Sequence, residues 1–148
     1  MQRRGYHAIN GDIEWAYSGD PATDTATRRL LSSPREQHEH HIWNVDRVKA
    51  LVADQDARAT FFCGGSRNYS KSIHLFNRVV ILEIDVETLK RRLDQRPQDD
   101  WGGTVEERDV TLGSHRTKDD IPNRGIVIDS AGPLTGVVDE ILRRCEEQ

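Results

Sequence analysis

The sequence predicts an α/β domain organised around a mostly parallel sheet, and three observations carry that reading. Ala59-Thr60-Phe61-Phe62-Cys63, Val79-Val80-Ile81-Leu82-Glu83-Ile84 and Gly125-Ile126-Val127-Ile128 are short, near-continuous apolar runs with Gly, Asn, Arg or Asp close to their ends. They lack in/out alternation, as strands covered on both faces do. Helical patterns lie between and after them, and strand alternating with helix is the order of a three-layer α/β/α fold.

Taken in order, Tyr6-His7-Ala8-Ile9-Asn10 is a further strand candidate. Ser33-Pro34-Arg35-Glu36 reads as a helix start, with Ser at the cap, Pro in the first helical position and Glu in the third. Ile42, Val45, Val48 and Val52 then form one stripe, predicting a single helix to about residue 54. After the strand at 79–84, Asp85 caps a helix with Leu89 and Leu93 at i, i+4, ending before Pro97. The last helix starts near Pro133 and carries Leu134, Val137, Val138, Ile141 and Leu142 on one face. Arg143 and Arg144 suit the negative end of its dipole. Between 98 and 124 the chain is highly charged and poor in apolar residues, which predicts a solvated excursion with a short helix over 106–118.

A length of 148 residues fits one domain, 1–148, at roughly 100–200 residues per domain. Lys and Arg number 21 against 25 Asp and Glu, for a net charge of −4, which gives no general attraction to nucleic acid or anionic lipid. No apolar run approaches the roughly 18 residues that span a bilayer, and the N-terminal residues have no apolar signal-peptide region. Cys63 and Cys145 have neither metal-ligand spacing nor a disulfide framework. A cytoplasmic domain without nucleic-acid or membrane partners is the expectation.

The chemistry-bearing residues gather at predicted strand ends. In open parallel sheets, ligands bind outside the carboxyl ends of the strands. Here those ends carry Asn10-Gly11-Asp12, Gly64-Gly65-Ser66-Arg67-Asn68 and Asp129-Ser130-Ala131-Gly132-Pro133. Each is also readable as an ordinary turn. Arg92 and Arg96 are i, i+4 on a helix that leads into the segment containing Arg108 and Arg116, and converging guanidinium groups suit phosphate. For Arg96, phosphate binding and a solvated helix face both stay open; for Arg91 the solvated face is preferred. His38 and His41 at i, i+3 invite a metal reading, but the sequence places no third ligand and none is assigned. Cys63 reads as a small core residue rather than a nucleophile.

Five pieces, in this order and spacing, resemble the small P-loop kinases of the nucleoside-, shikimate- and adenylate-kinase type, and most of all bacterial proteins labelled nucleoside kinase or AAA-family ATPase. They are the strand ending in Asp12, Phe61-Phe62-Cys63-Gly64-Gly65-Ser66, Val80-Ile81-Leu82-Glu83-Ile84, Leu89-x-x-x-Leu93-x-x-Arg96, and Ile128-Asp129-x-x-x-Pro133-x-x-x-Val137-Val138-Asp139-Glu140-Ile141-Leu142. The resemblance implies a three-layer parallel sheet and ATP-dependent phosphoryl transfer to a small acceptor, such as a nucleoside or nucleotide, with Mg²⁺ arriving on ATP. Family members begin with a central strand and a phosphate-cradling loop, G-x-x-x-x-G-K-S/T. No such motif is present, so the first, central strand is expected to be missing and the chain truncated. Two interior strands would then lack a partner. At about 1–3 kcal/mol per buried unsatisfied group, against a total stability of about 5–15 kcal/mol, the chain alone is expected to be marginal and impaired in ATP binding.

By the same resemblance, Asp12 matches the acid that orients or deprotonates the acceptor hydroxyl. Arg47, Gly64, Gly65 and Asn68 match acceptor-binding positions. Arg96 looks like the first arginine of a lid over 98–118, and Arg116 a cation at its far end. Ala131 and Pro133 match the loop that packs on adenine. The alternative is a non-catalytic binding or regulatory module that keeps the fold. A third reading, hydrolysis of ATP or GTP coupled to another task, needs the same absent loop.

Overall fold

The computed structural model describes residues 1–54 and 57–147. It is a mixed α/β chain with three two-stranded sheets among the described residues. It divides into two compact units, Met1–Asn77 and Arg78–Gln148.

In the first unit, β1 (His7–Asn10) pairs in parallel with β4 (Thr60–Cys63), in the register His7 with Thr60 and Asn10 with Cys63. Both strands lie where the apolar runs predicted. Between them come α1 (Gly11–Glu14), β2 (Ala16–Ser18), α2 (Pro34–Glu39), β3 (His41–Trp43) and α3 (Val45–Ala53). The Ser33 hydroxyl accepts the Glu36 N–H at 3.2 Å, so the helix starts where its signal stands.

The single helix expected to residue 54 is broken. His41–Trp43 leaves the helix to pair antiparallel with Ala16–Ser18, and Asn44 restarts it by accepting the Arg47 N–H. The gain is burial: as a strand, β3 sends both Ile42 and Trp43 inward. Trp43 joins Ile9, Trp15 and Val48 in the core, with Phe62 and Phe76 packed against it. Trp15 meets Trp43 edge-on, with ring centroids 6.1 Å apart, a favoured aromatic geometry.

Asn68 stands in for a further strand beside β3. Its amide accepts the Trp43 N–H and donates to the Trp43 carbonyl, both at 3.0 Å, and donates to Asp24 at 2.9 Å. Lys71 pairs with the same Asp24 carboxylate at 2.9 Å.

In the second unit, β5 (Val80–Glu83) pairs in parallel with β6 (Ile126–Asp129), Val80 opposite Ile126. The helices are α4 (Val86–Asp94), α5 (Val105–Thr117) and α6 (Leu134–Glu146). Ile81, Leu93, Val110, Ile128, Val137 and Ile141 are buried. The predicted Asp85 cap forms, accepting the Thr88 N–H at 2.8 Å.

Two expectations are corrected in this unit. The segment after Pro97 is not a wholly solvated excursion. A capping box between Thr104 and Glu107 starts α5, Val110 is buried, and Arg108 reaches Asp94 of α4 at 3.2 Å. His115 donates a ring N–H to the Ile84 carbonyl at 2.7 Å. Nor is the parallel pair covered on both faces: Leu82 and Val127 are each 51% exposed. Among the described residues, no helix is long and apolar enough to cross a membrane.

Replacing Asn68 by Ala orphans both buried backbone groups of Trp43, at about 1–3 kcal/mol per group. Urea unfolding is expected to show a loss of about 2–6 kcal/mol. Leu30→Ala, at a side chain 90% exposed, should stay within about 0.5 kcal/mol of the parent.

Candidate functional site

The first unit gathers its polar chemistry at the carboxyl end of the β1/β4 pair. Asn10, the last residue of β1, caps α1 by accepting the Asp12 N–H at 3.2 Å. Its own N–H is taken by Glu14 at 3.2 Å. Asp12 is thereby placed in the first turn of a short helix, its side chain 43% exposed. Gly11 lets that turn lie against the Trp43 indole, because a Cβ there would fall 2.5 Å from the ring.

Three donors converge on one oxygen of Asp12. His41 Nε2 lies 3.0 Å from Oδ1, Trp43 Nε1 donates to it at 3.1 Å, and the Gly65 backbone N–H donates at 3.3 Å. Among the described residues, none donates to Oδ2. Gly64 makes the close approach possible: its φ is +131°, and a Cβ there would sit 2.6 Å from both carboxylate oxygens. Any larger residue would meet both backbone strain and the carboxylate itself.

Burial raises the Asp12 pKa, but the hydrogen bonds from His41 and Trp43, the His41 charge and the Gly65 N–H together hold it below its ordinary value of 3.8. The arrangement is therefore an ionised carboxylate whose Oδ1 takes three hydrogen bonds and whose Oδ2 takes none among the described residues. Cys63, expected in the core, is instead exposed at the end of β4. Enough of its thiol is enclosed that burial, with the Asp12 charge behind it, pushes its pKa up, so it is not an activated nucleophile.

The structure thus brings Asp12, Gly64 and Gly65 together. Asn68 is fully engaged in the buried clip on Trp43. Arg47 stands exposed in the first turn of α3, and its guanidinium has no partner among the described residues.

The remaining predicted positions lie in the second unit. Arg96 donates to the Trp101 carbonyl at 2.6 Å and Arg108 to the Gly102 carbonyl at 3.1 Å, so two guanidinium groups meet at one turn. Arg92 instead clamps the carbonyls of Ala131 and Gly132, at 3.0 and 3.3 Å. The Ser130 hydroxyl fixes the same loop to the Glu83 carbonyl at 2.8 Å. Ala131 is held by these bonds, Pro133 precedes the first residue of α6, and Arg116 is exposed near the end of α5.

Sequence reasoning missed His41 and Trp43. The signal was a His-Ile-Trp triplet at the point where a helix was expected to continue. Two apolar residues in succession, on either side of the helical stripe, favour a short strand that buries both.

Because the folded Asp12 pKa lies below the unfolded one, its contribution to stability is present above about pH 4 and lost as pH falls through the lower, folded value. Asp12→Asn is expected to be less stable than the parent at neutral pH by urea unfolding. The gap should close on acidification below the ordinary aspartate range.

The chain matches no known protein family, no curated protein and no solved structure.

Proposed function

We propose that this chain carries the acceptor side of an ATP-dependent phosphoryl-transfer enzyme of the P-loop small-molecule kinase type. The carrying observation is the Asp12 carboxylate at the carboxyl end of a parallel strand pair, its Oδ1 taking three donors and its Oδ2 none among the described residues. In this reading the acceptor oxygen attacks phosphorus, its proton passes to Oδ2 of Asp12, and the leaving group departs as ADP. Arg47, Gly64 and Gly65 border the acceptor. Within the second unit, the same resemblance gives Arg96 and Arg116 a phosphate-binding role and Ala131 with Pro133 an adenine-binding one. The acceptor class is a nucleoside, a nucleotide or a similar small metabolite, and the compartment the cytoplasm.

The sequence supplies no Gly-rich Lys-Ser/Thr loop to cradle the nucleotide's phosphates, and the described residues no cluster of three His, Cys, Asp or Glu side chains for its Mg²⁺. No residue is therefore assigned to metal. Within this reading the fold is the three-layer α/β/α one of that kinase type. A second reading, a non-catalytic binding module with the same fold, is favoured by the absent loop.

Two measurements test the proposal. In differential scanning fluorimetry the melting temperature should not rise with Mg-ATP; a clear rise would contradict the absent cradle. Saturation-transfer NMR with a panel of nucleosides and nucleotides should detect an acceptor with the parent chain and lose it with Asp12→Asn. No signal from any member would overturn the acceptor assignment. An in-frame Gly-rich Lys-Ser/Thr loop in the DNA upstream of Met1 favours the transferase, and a stop codon there the binding module.

A further inference from the structure

We propose that His41 is a positioning residue for Asp12: its imidazole Nε2–H fixes the carboxylate through Oδ1 and so leaves Oδ2 as the face offered to a hydroxyl. The inference deepens the acceptor reading of Asp12 and rests on it for its catalytic consequence.

Of the three donors on Oδ1, the Trp43 indole and the Gly65 backbone N–H are neutral, so His41 alone can add charge. The backbone of His41 is fixed from two sides. It lies in β3 opposite Ser18, and its carbonyl accepts the Arg67 N–H at 2.9 Å. Arg67 closes the same loop that supplies the Gly65 donor. Strand and loop are thus tied to each other as well as to the carboxylate. An aspartate oxygen only accepts while ionised, so the contact selects the imidazole form with its proton on Nε2.

The other titratable groups about Asp12 are few. Glu14, from the same α1, spends its carboxylate on the Asn10 N–H. Cys63, from β4, has its pKa raised by burial and, behind that, by Asp12. His41, from β3, is the group whose charge and hydrogen bond both favour the ionised carboxylate. In the phosphoryl-transfer reading, a carboxylate free to rotate would offer either oxygen to the acceptor. One held through Oδ1 presents a single oxygen in a single direction, the pre-organisation that proton transfer in a transition state rewards.

The test follows the Asp12 carboxyl carbon by ¹³C NMR through an acid titration, in the parent, His41→Phe and His41→Gln. The glutamine amide can place an N–H donor where Nε2 stood; phenylalanine cannot. The Asp12 midpoint is expected to move up in His41→Phe and to return part of the way in His41→Gln. A His41→Phe midpoint coincident with the parent's, with backbone amide spectra showing an intact fold, would overturn the proposal. If His41→Phe does not fold, His41→Asn, whose amide ends short of Asp12, takes its place with the same two outcomes. No ligand is needed, so a shifted midpoint alongside unchanged acceptor binding would uphold the His41 role and count against the proposed reaction instead.

Discussion

A single carboxylate oxygen ties together the parts of the first unit that carry its chemistry. Asp12 Oδ1 receives donors from the first and last residues of β3 and from the loop after β4. That meeting point gives α1, β3 and the Gly64–Gly65 turn a common reference. The glycines on either side are consequences of it. Gly11 leaves room for the indole that reaches Asp12, and Gly64 leaves room for the carboxylate itself. Hydrogen bonds to a charged group are worth about 1.5–3 kcal/mol each, but at a half-exposed site their larger effect is on geometry and protonation.

Other polar groups do comparable work for the backbone rather than for a ligand. Asn68 supplies β3 with the partner a longer sheet would give it. In the second unit, Arg92, Arg96 and Arg108 hold carbonyls at the Ala131–Gly132 and Trp101–Gly102 turns. A guanidinium has five N–H donors, so holding one or two carbonyls restricts its direction without exhausting it. The arginines are aimed by the loops they stabilise.

Much of this was legible in the sequence where a local signal decides the outcome. β4, β5 and β6 fall within a residue or so of their apolar runs, and the Ser33 and Asp85 caps form as their side chains dictate. Asp12 stood out for its place after a strand. What was not legible depended on distant partners. β3 is three residues long and exists because Ala16–Ser18 lies beside it and Asn68 clips it, neither of which periodicity reports. With β3 misread as helix, His41 lined up with His38 as a metal pair, while its actual partner is 29 residues away at Asp12. The burial of Val110 was hidden in the same way, inside a charged segment whose apolar content is low on average.

The convergence on Oδ1 is most directly tested by the two neutral donors. In a ¹H–¹⁵N spectrum followed through acid titration, the Trp43 indole N–H and the Gly65 amide should shift together. They should share one midpoint lying below the ordinary aspartate value, as Asp12 takes up its proton. Separate midpoints, or no shift in either resonance, would contradict the shared carboxylate on which the account depends.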